Sequence, residues 1–348
     1  MEQKQVLIGM SGGVDSAAAA VLLRQAGYTP VGCTLRLCPE GGEQAVEDAR
    51  AAAQRLGMAF VTADCTADFR RRVMDSFVAD YRDGRTPNPC VQCNRYVKFD
   101  GMLRQADSLG IPYIATGHYA RRGFDQGTGR WQLLRGKDRR KDQTYFLYVL
   151  TQTQLSRLLL PVGDFDKEEI RSLAAKAGLV NAHKPDSQDI CFIPDGDYGA
   201  FLRQYGGVEP VPGDFVDQAG NVLGRHRGQA LYTTGQRRGL GVSAGRPLYV
   251  VRKTGNTVVL GDEADLYSSR VWASGFNWVS LPPQRGPVEV TVKTRYSQDE
   301  VAAVLYPQAD GLVRAELREP RRAVTPGQAL VAYQGDVVVG GGEICCAE

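Results

Sequence analysis

The sequence predicts an α/β protein that begins with a doubly wound parallel sheet and ends in a β-rich region. Over residues 4–120, short apolar runs alternate with helical stretches that stop at glycine. This alternation is typical of a parallel sheet with helices on both faces. From about residue 206, short β-rich runs separated by Gly, Pro and Asn follow one another, which favours small antiparallel barrels or sandwiches.

The elements can be placed in order along the chain. Strands are predicted at residues 6–8, 28–35, 60–63 and 111–116, and helices at 17–23, 43–56, 68–81 and 98–109. Residues 141–205 are more helical, with a capping-box pattern at Asp166 and Glu169 before a helix that ends at Gly178. The later β-runs lie at 248–251, 257–260, 288–292, 301–305, 312–317 and 329–333.

The first strand runs directly into a glycine-rich stretch. Its residues are Ile8, Gly9, Met10, Ser11, Gly12, Gly13, Val14, Asp15 and Ser16. Glycines let successive N–H groups point inward, and the helix that follows adds unpaired N–H donors, so the stretch predicts a phosphate site. Ser11 and Ser16 can donate hydroxyls to phosphate oxygens. Asp15 would repel an anion, and is therefore expected to hold a magnesium ion that bridges the phosphates.

This stretch differs from two common nucleotide-binding motifs. Val14-Asp15-Ser16 stands where the Walker loop has Gly-Lys-Ser/Thr, and the G-x-G-x-x-G spacing of dinucleotide sites is missing. It resembles the SGGxDS loop of ATP pyrophosphatases, which cleave ATP between its α- and β-phosphates and transfer AMP to an oxygen. The competing interpretation is a structural turn without a ligand.

Composition limits the class of protein. The chain has 348 residues, is 43% hydrophobic and 23% charged, which predicts a soluble globular protein of two or three domains. We expect no membrane span and no secretory signal, and hence a cytoplasmic location. In that compartment the eight cysteines are expected to be thiols, ligands or redox groups rather than structural disulfides.

The formal net charge of +3 does not by itself indicate a nucleic-acid partner. Short basic clusters lie at residues 70–72, 121–122, 139–141, 225–227 and 237–238. A polyanionic partner would explain these clusters, and solvated surface charge is the alternative.

Two stretches carry cysteines in a polar setting. Residues 84–94 contain Pro87 and Pro89 before Cys90 and Cys93, and we expect this stretch to be a rigid, extended loop rather than a helix. In residues 186–193, polar residues precede Cys191 and apolar residues follow it, as at the mouth of a pocket. The other cysteines are expected to be buried or incidental thiols.

Several motifs together resemble one family. They are the glycine-rich loop, Thr86-Pro87-Asn88-Pro89 with Cys93-Asn94, Ala115-Thr116-Gly117-His118-Tyr119, Lys141-Asp142-Gln143-Thr144-Tyr145-Phe146, Ser187-Gln188-Asp189-Ile190-Cys191-Phe192-Ile193, Thr234-Gly235-Gln236-Arg237-Arg238-Gly239 and Val292-Lys293-Thr294-Arg295-Tyr296. This set resembles the bacterial tRNA-specific 2-thiouridylases (tRNA-uridine 2-sulfurtransferases) of the ATP pyrophosphatase (PP-loop) superfamily. These enzymes make 2-thiouridine at the wobble position of tRNAs for Lys, Glu and Gln.

The resemblance implies a fold and three domains. They are a PP-loop ATP pyrophosphatase domain over residues 1–205, a small β-rich central domain over 206–276 and a C-terminal antiparallel β-barrel over 277–348 that contacts tRNA. It also implies ATP, magnesium, tRNA and a persulfide or sulfide donor protein as ligands and partners. The protein is expected to act as a monomer.

The resemblance also implies functional residues. ATP would be bound by residues 8–16, Leu35 and Gly117, although the family usually has methionine at the position of Leu35. Cys93 matches the nucleophile, and Cys191 matches the cysteine that bears the persulfide. The target base would lie near Asn88, Pro89 and Cys90. The residues that match tRNA contacts are His118, Lys141, Asp142, Gln143, Arg295, Tyr296 and Gln328.

Cys90 departs from the family pattern, because many members have aspartate there as a proposed general acid/base. A thiol is a poor replacement for a carboxylate. One alternative is therefore an iron–sulfur cluster on Cys90, Cys93 and Cys191, which would deliver an iron-bound sulfur. The primary expectation is a Cys191 persulfide and a Cys93 nucleophile in a basic cleft that lowers the thiol pKa.

Two further functions remain open at this point. An amide-forming synthetase could use the same ATP loop, but no glutaminase-like segment is apparent, and paired cysteines would have no use. A non-catalytic tRNA-binding or sulfur-carrier protein would not need the intact loop of Ser11 to Ser16.

Overall fold

The computed structural model describes residues 4–38, 42–179 and 190–348. Its first part is built on a parallel sheet with the strand order β3-β2-β1-β4-β7. These strands are β1 (Gln5–Gly9), β2 (Thr29–Arg36), β3 (Phe60–Asp64), β4 (Tyr113–Ala115) and β7 (Leu158–Leu159). The predicted parallel sheet is therefore confirmed.

Helices connect and cover these strands. The α-helices are α1 (Val14–Gln25), α2 (Glu43–Arg55), α3 (Thr66–Phe69), α4 (Asp75–Arg82), α5 (Pro89–Cys93), α6 (Phe99–Ser108), α7 (Thr144–Leu147), α8 (Gln152–Arg157), α9 (Lys167–Lys176) and α10 (Tyr198–Gln204). Two π-helical segments, Arg70–Met74 and Asn94–Lys98, continue α3 into α4 and α5 into α6. The predicted capping box is present at the start of α9, where the Asp166 N–H donates to a Glu169 carboxylate oxygen at 2.7 Å.

The centre of the parallel sheet places the glycine-rich stretch. Val6, Leu7 and Ile8 of β1 are fully buried, and β1 pairs in parallel with both β2 and β4. An apolar strand paired on both sides and covered on both faces is the usual centre of a doubly wound sheet. The carboxyl ends of β1 and β4 consequently bring residues 9–13 and Gly117 to one edge.

The region that contains both cysteine motifs folds differently from the expectation. The structure has a helix at Pro89–Cys93, so the prediction of an extended loop is wrong for these residues. Pro89 lies in the first turn, where its missing N–H costs no helical hydrogen bond and its fixed φ suits the helix. Residues 186–189 of the second motif lie outside the described part of the chain.

The later part of the chain is β-rich, as expected. The strands β8 (Gly213–Val216), β9 (Val222–His226), β10 (Tyr249–Thr254) and β11 (Thr257–Gly261) form a sheet in the order β10-β11-β8-β9, with short 3₁₀ turns at Gln229–Leu231 and Glu263–Leu266. The strands β12 (Tyr267–Asn277), β13 (Val288–Lys293), β14 (Val301–Pro307), β15 (Val313–Arg322), β16 (Ala329–Gln334) and β17 (Val337–Ala347) follow. Pairing of β12 with both β15 and β17 closes them into the predicted antiparallel barrel.

One hairpin connects the first part to the barrel. Strands β5 (Ala120–Asp125) and β6 (Arg130–Arg135) follow β4 in the chain, but β6 pairs with β17 through Leu134 and Val337. The hairpin is therefore joined to the barrel by backbone pairing, while the parallel sheet and the barrel share a hydrophobic core. The boundaries at 205/206 and 276/277 stay a prediction. In the described residues, no helix is both long and apolar enough to span a membrane.

Candidate functional site

The glycine-rich stretch forms the start of α1. Gly12 has a φ of +72°, and a Cβ there would lie 2.8 Å from the Asp48 Cβ, so this position requires glycine. Gly13 is the N-cap of α1, with no side-chain hydrogen bond to the cap among the described residues. The Ser16 hydroxyl instead donates to the Gly13 carbonyl at 3.1 Å. Backbone donors at the start of this helix thus remain suited to an anion.

Gly117 packs directly against this turn. A Cβ at Gly117 would lie 2.8 Å from both the Asp15 carbonyl carbon and the Ser16 nitrogen. The end of β4 can therefore approach the first turn of α1 only because residue 117 has no side chain. The structure brings Gly117 to the predicted ATP site, and its role there includes this close backbone contact.

Asp15 is held by two side chains that the sequence analysis did not identify as functional. The Lys167 Nζ lies 2.8 Å from each carboxylate oxygen, and the Tyr119 hydroxyl donates to Oδ1 at 2.8 Å. The side chain of Lys167 is 3% exposed and that of Asp15 is 29% exposed. A buried ammonium thus neutralises the carboxylate, and the magnesium role of Asp15 stays a prediction.

Several residues of the predicted ATP site belong to the hydrophobic core. Ile8, Met10 and Val14 are at most 3% exposed, so they can reach a ligand only through the backbone. Leu35 packs with the cysteine-containing core around Cys65. Its contact with adenine stays a prediction.

Helix α5 presents the two cysteines of the first motif. The Asn88 side chain caps this helix by accepting from the Val91 N–H at 3.4 Å. Cys90 is exposed and Cys93 is buried. Residues three apart on a helix lie on the same side, so both thiols face the same region.

Cys93 and Cys191 are brought together although 98 positions separate them in the sequence. Cys93 packs in a core with Cys65 and Phe69, and Cys38 and Phe192 pack against the same core. Cys191 precedes Phe192 and is exposed. Desolvation raises the pKa of Cys191, and a thiolate at the neighbouring Cys93, Cys38 or Cys90 would raise it further.

Desolvation by the surrounding protein atoms dominates the acidity of these thiols, even at Cys90 and Cys191, which are exposed residues by their surface area. It raises the pKa of Cys93 to about 11 and that of Cys191 to about 12, and it also raises the pKa of Cys90. The ammonium of Lys98 lowers the pKa of all three thiols, but by less than burial raises it. The expectation that a basic cleft lowers the thiol pKa is therefore wrong in the part of the chain that the structure describes.

The iron–sulfur alternative is not supported by this geometry. Within residues 4–38, 42–179 and 190–348, no group of three or more His, Cys, Asp or Glu side chains is arranged to hold a metal ion. Cys90, Cys93 and Cys191 all lie in these ranges. The cysteines are close enough to interact electrostatically, but they do not form a ligand set.

Three predicted tRNA contacts on the side of the parallel sheet already have partners within the protein. Burial, assisted by the charge of Lys98, lowers the pKa of His118 to about 3, and its Nδ1 lies 2.8 Å from the Thr116 hydroxyl. Asp142 is buried and accepts from the Thr144 hydroxyl at 2.7 Å. The Gln143 side chain accepts from a backbone N–H at 2.9 Å.

Lys141 and Tyr296 lie on two segments that meet. Tyr296 is 38% exposed, and its ring centroid lies 4.6 Å from that of Phe146. Lys141 lies five residues before Phe146 and is half-buried. The barrel loop and residues 141–146 therefore present an aromatic surface together with nearby basic side chains.

Arg295 and Gln328 contact the protein itself. The Arg295 guanidinium donates to the Thr234 carbonyl at 3.3 Å. The Gln328 amide donates to the Thr86 carbonyl at 2.9 Å, and the Thr86 N–H donates to the Pro326 carbonyl at 2.9 Å. Gln328 thus holds the segment that leads into α5, and a tRNA contact by its side chain stays a prediction.

The residues that sequence reasoning missed had weak local signals. Lys167 directly follows the helix cap Asp166, which looked purely structural. Lys98 ends a π-helical segment that starts one residue after Cys93. Such segments often occur at functional sites, but a π-helix cannot be read from hydrophobic periodicity.

Comparisons with known proteins cover nearly the whole chain. Three family models match, described as a tRNA methyl transferase HUP domain over residues 4–195, a tRNA methyl transferase PRC-barrel domain over 199–262 and an aminomethyltransferase beta-barrel domain over 268–344. A solved 4-thiouridine synthetase in complex with RNA and ATP covers 55% of this chain and 45% of its own, with 19% identity and a TM-score of 0.36.

Full-length relatives are more similar. The tRNA-specific 2-thiouridylase MnmA of Acetivibrio thermocellus is 48% identical over 358 residues, covering 99% of this chain and 100% of its own. The protein of the same name from Lachnoclostridium phytofermentans is 46% identical and covers 98% of this chain and 99% of its own. At this identity and coverage, the chain belongs to the tRNA-specific 2-thiouridylase family.

Proposed function

We propose that the protein catalyses ATP-dependent 2-thiolation of the wobble uridine of tRNAs of the Lys, Glu and Gln type. The observation that carries the proposal is the pairing of a PP-loop with two neighbouring thiols. Cys93 is buried in a core that Phe192 contacts, and Cys191 next to Phe192 is exposed. An amide-forming synthetase would use the loop but not the thiols, and a sulfur carrier would use the thiols but not the loop.

The uridine C2 carbonyl has no leaving group, so its oxygen must first be activated. In the proposed reaction this oxygen attacks the α-phosphate of ATP, pyrophosphate leaves and the oxygen becomes part of AMP. Backbone N–H groups at the start of α1 would bind the phosphates, and the dipole of this twelve-residue helix would favour their charge. Asp15 would hold a magnesium ion, which would offset the negative charge of the phosphates.

Sulfur then replaces the AMP oxygen. Cys191 would receive sulfur from a persulfide donor protein, because it is an exposed residue whereas Cys93 is buried. Cys93 Sγ attacks Cys191 Sγ, the outer sulfur leaves as hydrosulfide and attacks C2, and AMP departs. Two thiols are thereby oxidised to a Cys93–Cys191 disulfide while the sulfane sulfur is reduced to sulfide.

The charge of Lys98 supports this thiol chemistry. Burial works against ionisation of Cys93 and Cys191, and Lys98 lowers the pKa of both thiols. Because the thiolate is the nucleophile, a cation at this position increases the reactive fraction of the thiols.

We further propose that the barrel contacts tRNA through the surface around Tyr296. We also propose that the domains divide at 205/206 and 276/277, and that the protein acts as a cytoplasmic monomer.

Pyrophosphate release tests the activation step. Wild-type protein with ATP and magnesium should release pyrophosphate only when tRNA with a wobble uridine is present. Asp15→Asn should abolish release. Asp68→Asn changes a half-buried carboxylate of helix α3 that pairs with Arg71 and Arg104, and this variant should release pyrophosphate normally. Release without tRNA would contradict the proposal.

A further inference from the structure

We propose that Cys90 is a resolving thiol, which attacks Cys93 after each turnover and transfers the disulfide from Cys93–Cys191 to Cys90–Cys93. This inference rests on the proposed function. It gives a role to Cys90, the residue of helix α5 that departs from the family pattern, and it does not require a metal.

The geometry of α5 favours this exchange. Cys90 and Cys93 lie three residues apart within the helix, whose turn is closed by the Asn94 N–H that donates to the Cys90 carbonyl. Side chains three apart have Cβ atoms about 5–6 Å apart. A disulfide needs about 3.5–4.5 Å between its Cβ atoms, so a small adjustment in the first turn of the helix allows the bond. The spacing is the Cys-x-x-Cys arrangement of many dithiol redox sites.

Exposure explains why an internal resolving thiol is useful. Cys93 is buried, whereas Cys90 and Cys191 are exposed. An external thiol could therefore attack a Cys93–Cys191 disulfide only at Cys191, and would leave a mixed disulfide on the residue that must accept the next persulfide. Attack by Cys90 instead frees Cys191 and leaves the disulfide on Cys90, an exposed residue, as the entry point for a reductant.

The exchange is balanced without an oxidant. The Cys90 thiolate attacks Cys93 Sγ, the Cys90–Cys93 bond forms, the Cys93–Cys191 bond breaks, and Cys191 leaves as a thiolate that takes up a proton. One disulfide is present before and after the step. A dithiol reductant then supplies two electrons and two protons to reduce Cys90–Cys93, one equivalent for each thiouridine.

Lys98 assists the exchange, because its positive charge favours the thiolate of Cys90 and of the leaving Cys191. Cys38 is the competing candidate, since it packs against the same core as Cys93. Cys38 is only half-exposed and belongs to a different segment, which makes it a matched control rather than the preferred attacker.

Disulfide mapping tests the inference. Protein loaded with persulfide by inorganic polysulfide is allowed to react with ATP, magnesium and tRNA without reductant, then quenched in acid, alkylated and mapped by peptide mass spectrometry. Wild type and Cys38→Ser should show Cys90–Cys93 with Cys191 alkylated, and Cys90→Ser should retain Cys93–Cys191. With dithiothreitol as reductant, Cys90→Ser should turn over at least tenfold more slowly than Cys38→Ser.

The outcomes separate the two proposals. Wild type that forms 2-thiouridine and retains Cys93–Cys191, or forms a disulfide to Cys38, would overturn the resolving role and leave the proposed function intact. Wild type that forms no 2-thiouridine would overturn both. A second measurement needs no variant: wild type oxidised by diamide should contain Cys90–Cys93, and finding only Cys93–Cys191 would contradict the inference.

Discussion

Replacing Lys167 by methionine tests the structural basis of the ATP loop. The change removes an ammonium that is 3% exposed and lies 2.8 Å from both carboxylate oxygens of Asp15, while the methionine fills most of its volume. Loss of one partner of a buried ion pair costs about 3–5 kcal/mol. Because Asp15 is 29% exposed and keeps the Tyr119 hydroxyl, water can solvate part of its charge. We therefore expect a loss of about 2–3 kcal/mol in the free energy of unfolding.

Lys137 provides the matched control. Its ammonium pairs with Asp166 and Glu169 at 3.1 and 2.9 Å, but its side chain is 47% exposed. Removing such a solvent-screened surface pair by Lys137→Met should change the free energy of unfolding much less than Lys167→Met does. Urea unfolding measures both variants, and the rate of tRNA-dependent pyrophosphate release reports whether Asp15 keeps its position.

The double variant Asp15→Asn with Lys167→Met should recover most of the lost stability, because no unpaired charge then remains. It should not recover pyrophosphate release. If Lys167→Met unfolds at the same urea concentration as Lys137→Met, the Asp15–Lys167 pair does not stabilise the loop and the reasoning fails.

Substitutions at Gly327, Lys98 and His118 test the segment before α5, the acidity of the thiols and the pH dependence of stability. Gly327→Ala should slow thiolation and lower the free energy of unfolding by about 2–4 kcal/mol, because a Cβ would lie 2.9 Å from the backbone of the segment before α5. Gly335→Ala is the control: its φ is +57° and nothing lies within 4 Å of a Cβ, so it should cost only about 1 kcal/mol and keep activity. Equal effects of the two variants would contradict this prediction. Lys98→Met should slow iodoacetamide alkylation of Cys93 at pH 8 severalfold, and Lys98→Arg should restore it; an unchanged rate in Lys98→Met would exclude the electrostatic role. The pKa of His118 is lowered to about 3, so between about pH 6.5 and pH 3 only the unfolded chain binds this proton. The free energy of unfolding should therefore fall as the pH decreases, by up to about 1.4 kcal/mol per pH unit. His118→Gln should make the urea midpoint depend less on pH, and the same pH dependence in the variant and the wild type would refute the prediction.

Local patterns predicted much of the fold. The strands of the parallel sheet have apolar runs bounded by glycine, and the glycine-rich stretch lies between one such strand and a helix, as expected. The β-rich texture after residue 206 indicated small β-domains, but not which strands pair. The addition of the hairpin of β5 and β6 to the barrel joins residues about 200 positions apart, such as Leu134 and Val337, and no local signal reports it.

The candidate site was predictable only in part for the same reason. Motifs identified Asp15, Cys93 and Cys191, but the partners of these residues come from distant elements. The ammonium beside Asp15 belongs to Lys167, 152 positions away. The raised pKa of Cys93 depends on burial, which packing decides and spacing does not reveal.

The helix at Pro89–Cys93 shows why the predicted extended loop is wrong. Proline disfavours the interior of a helix, but it is well suited to the first helical turn. The structure places Pro89 there, with Asn88 as the cap. That helix is also what brings Cys90 and Cys93 to the same side.

The central claim is tested most directly by analysing the nucleosides of the tRNA. Unmodified tRNA with a wobble uridine is incubated with the protein, ATP, magnesium and a persulfide donor, then digested and examined by mass spectrometry, while AMP is quantified in the same sample. We expect 2-thiouridine at the wobble position and one AMP for each thiouridine. Cys191→Ser should adenylate the tRNA but form neither 2-thiouridine nor free AMP. Absence of 2-thiouridine with the wild-type protein, or its formation at full rate with Cys191→Ser, would contradict the proposed function.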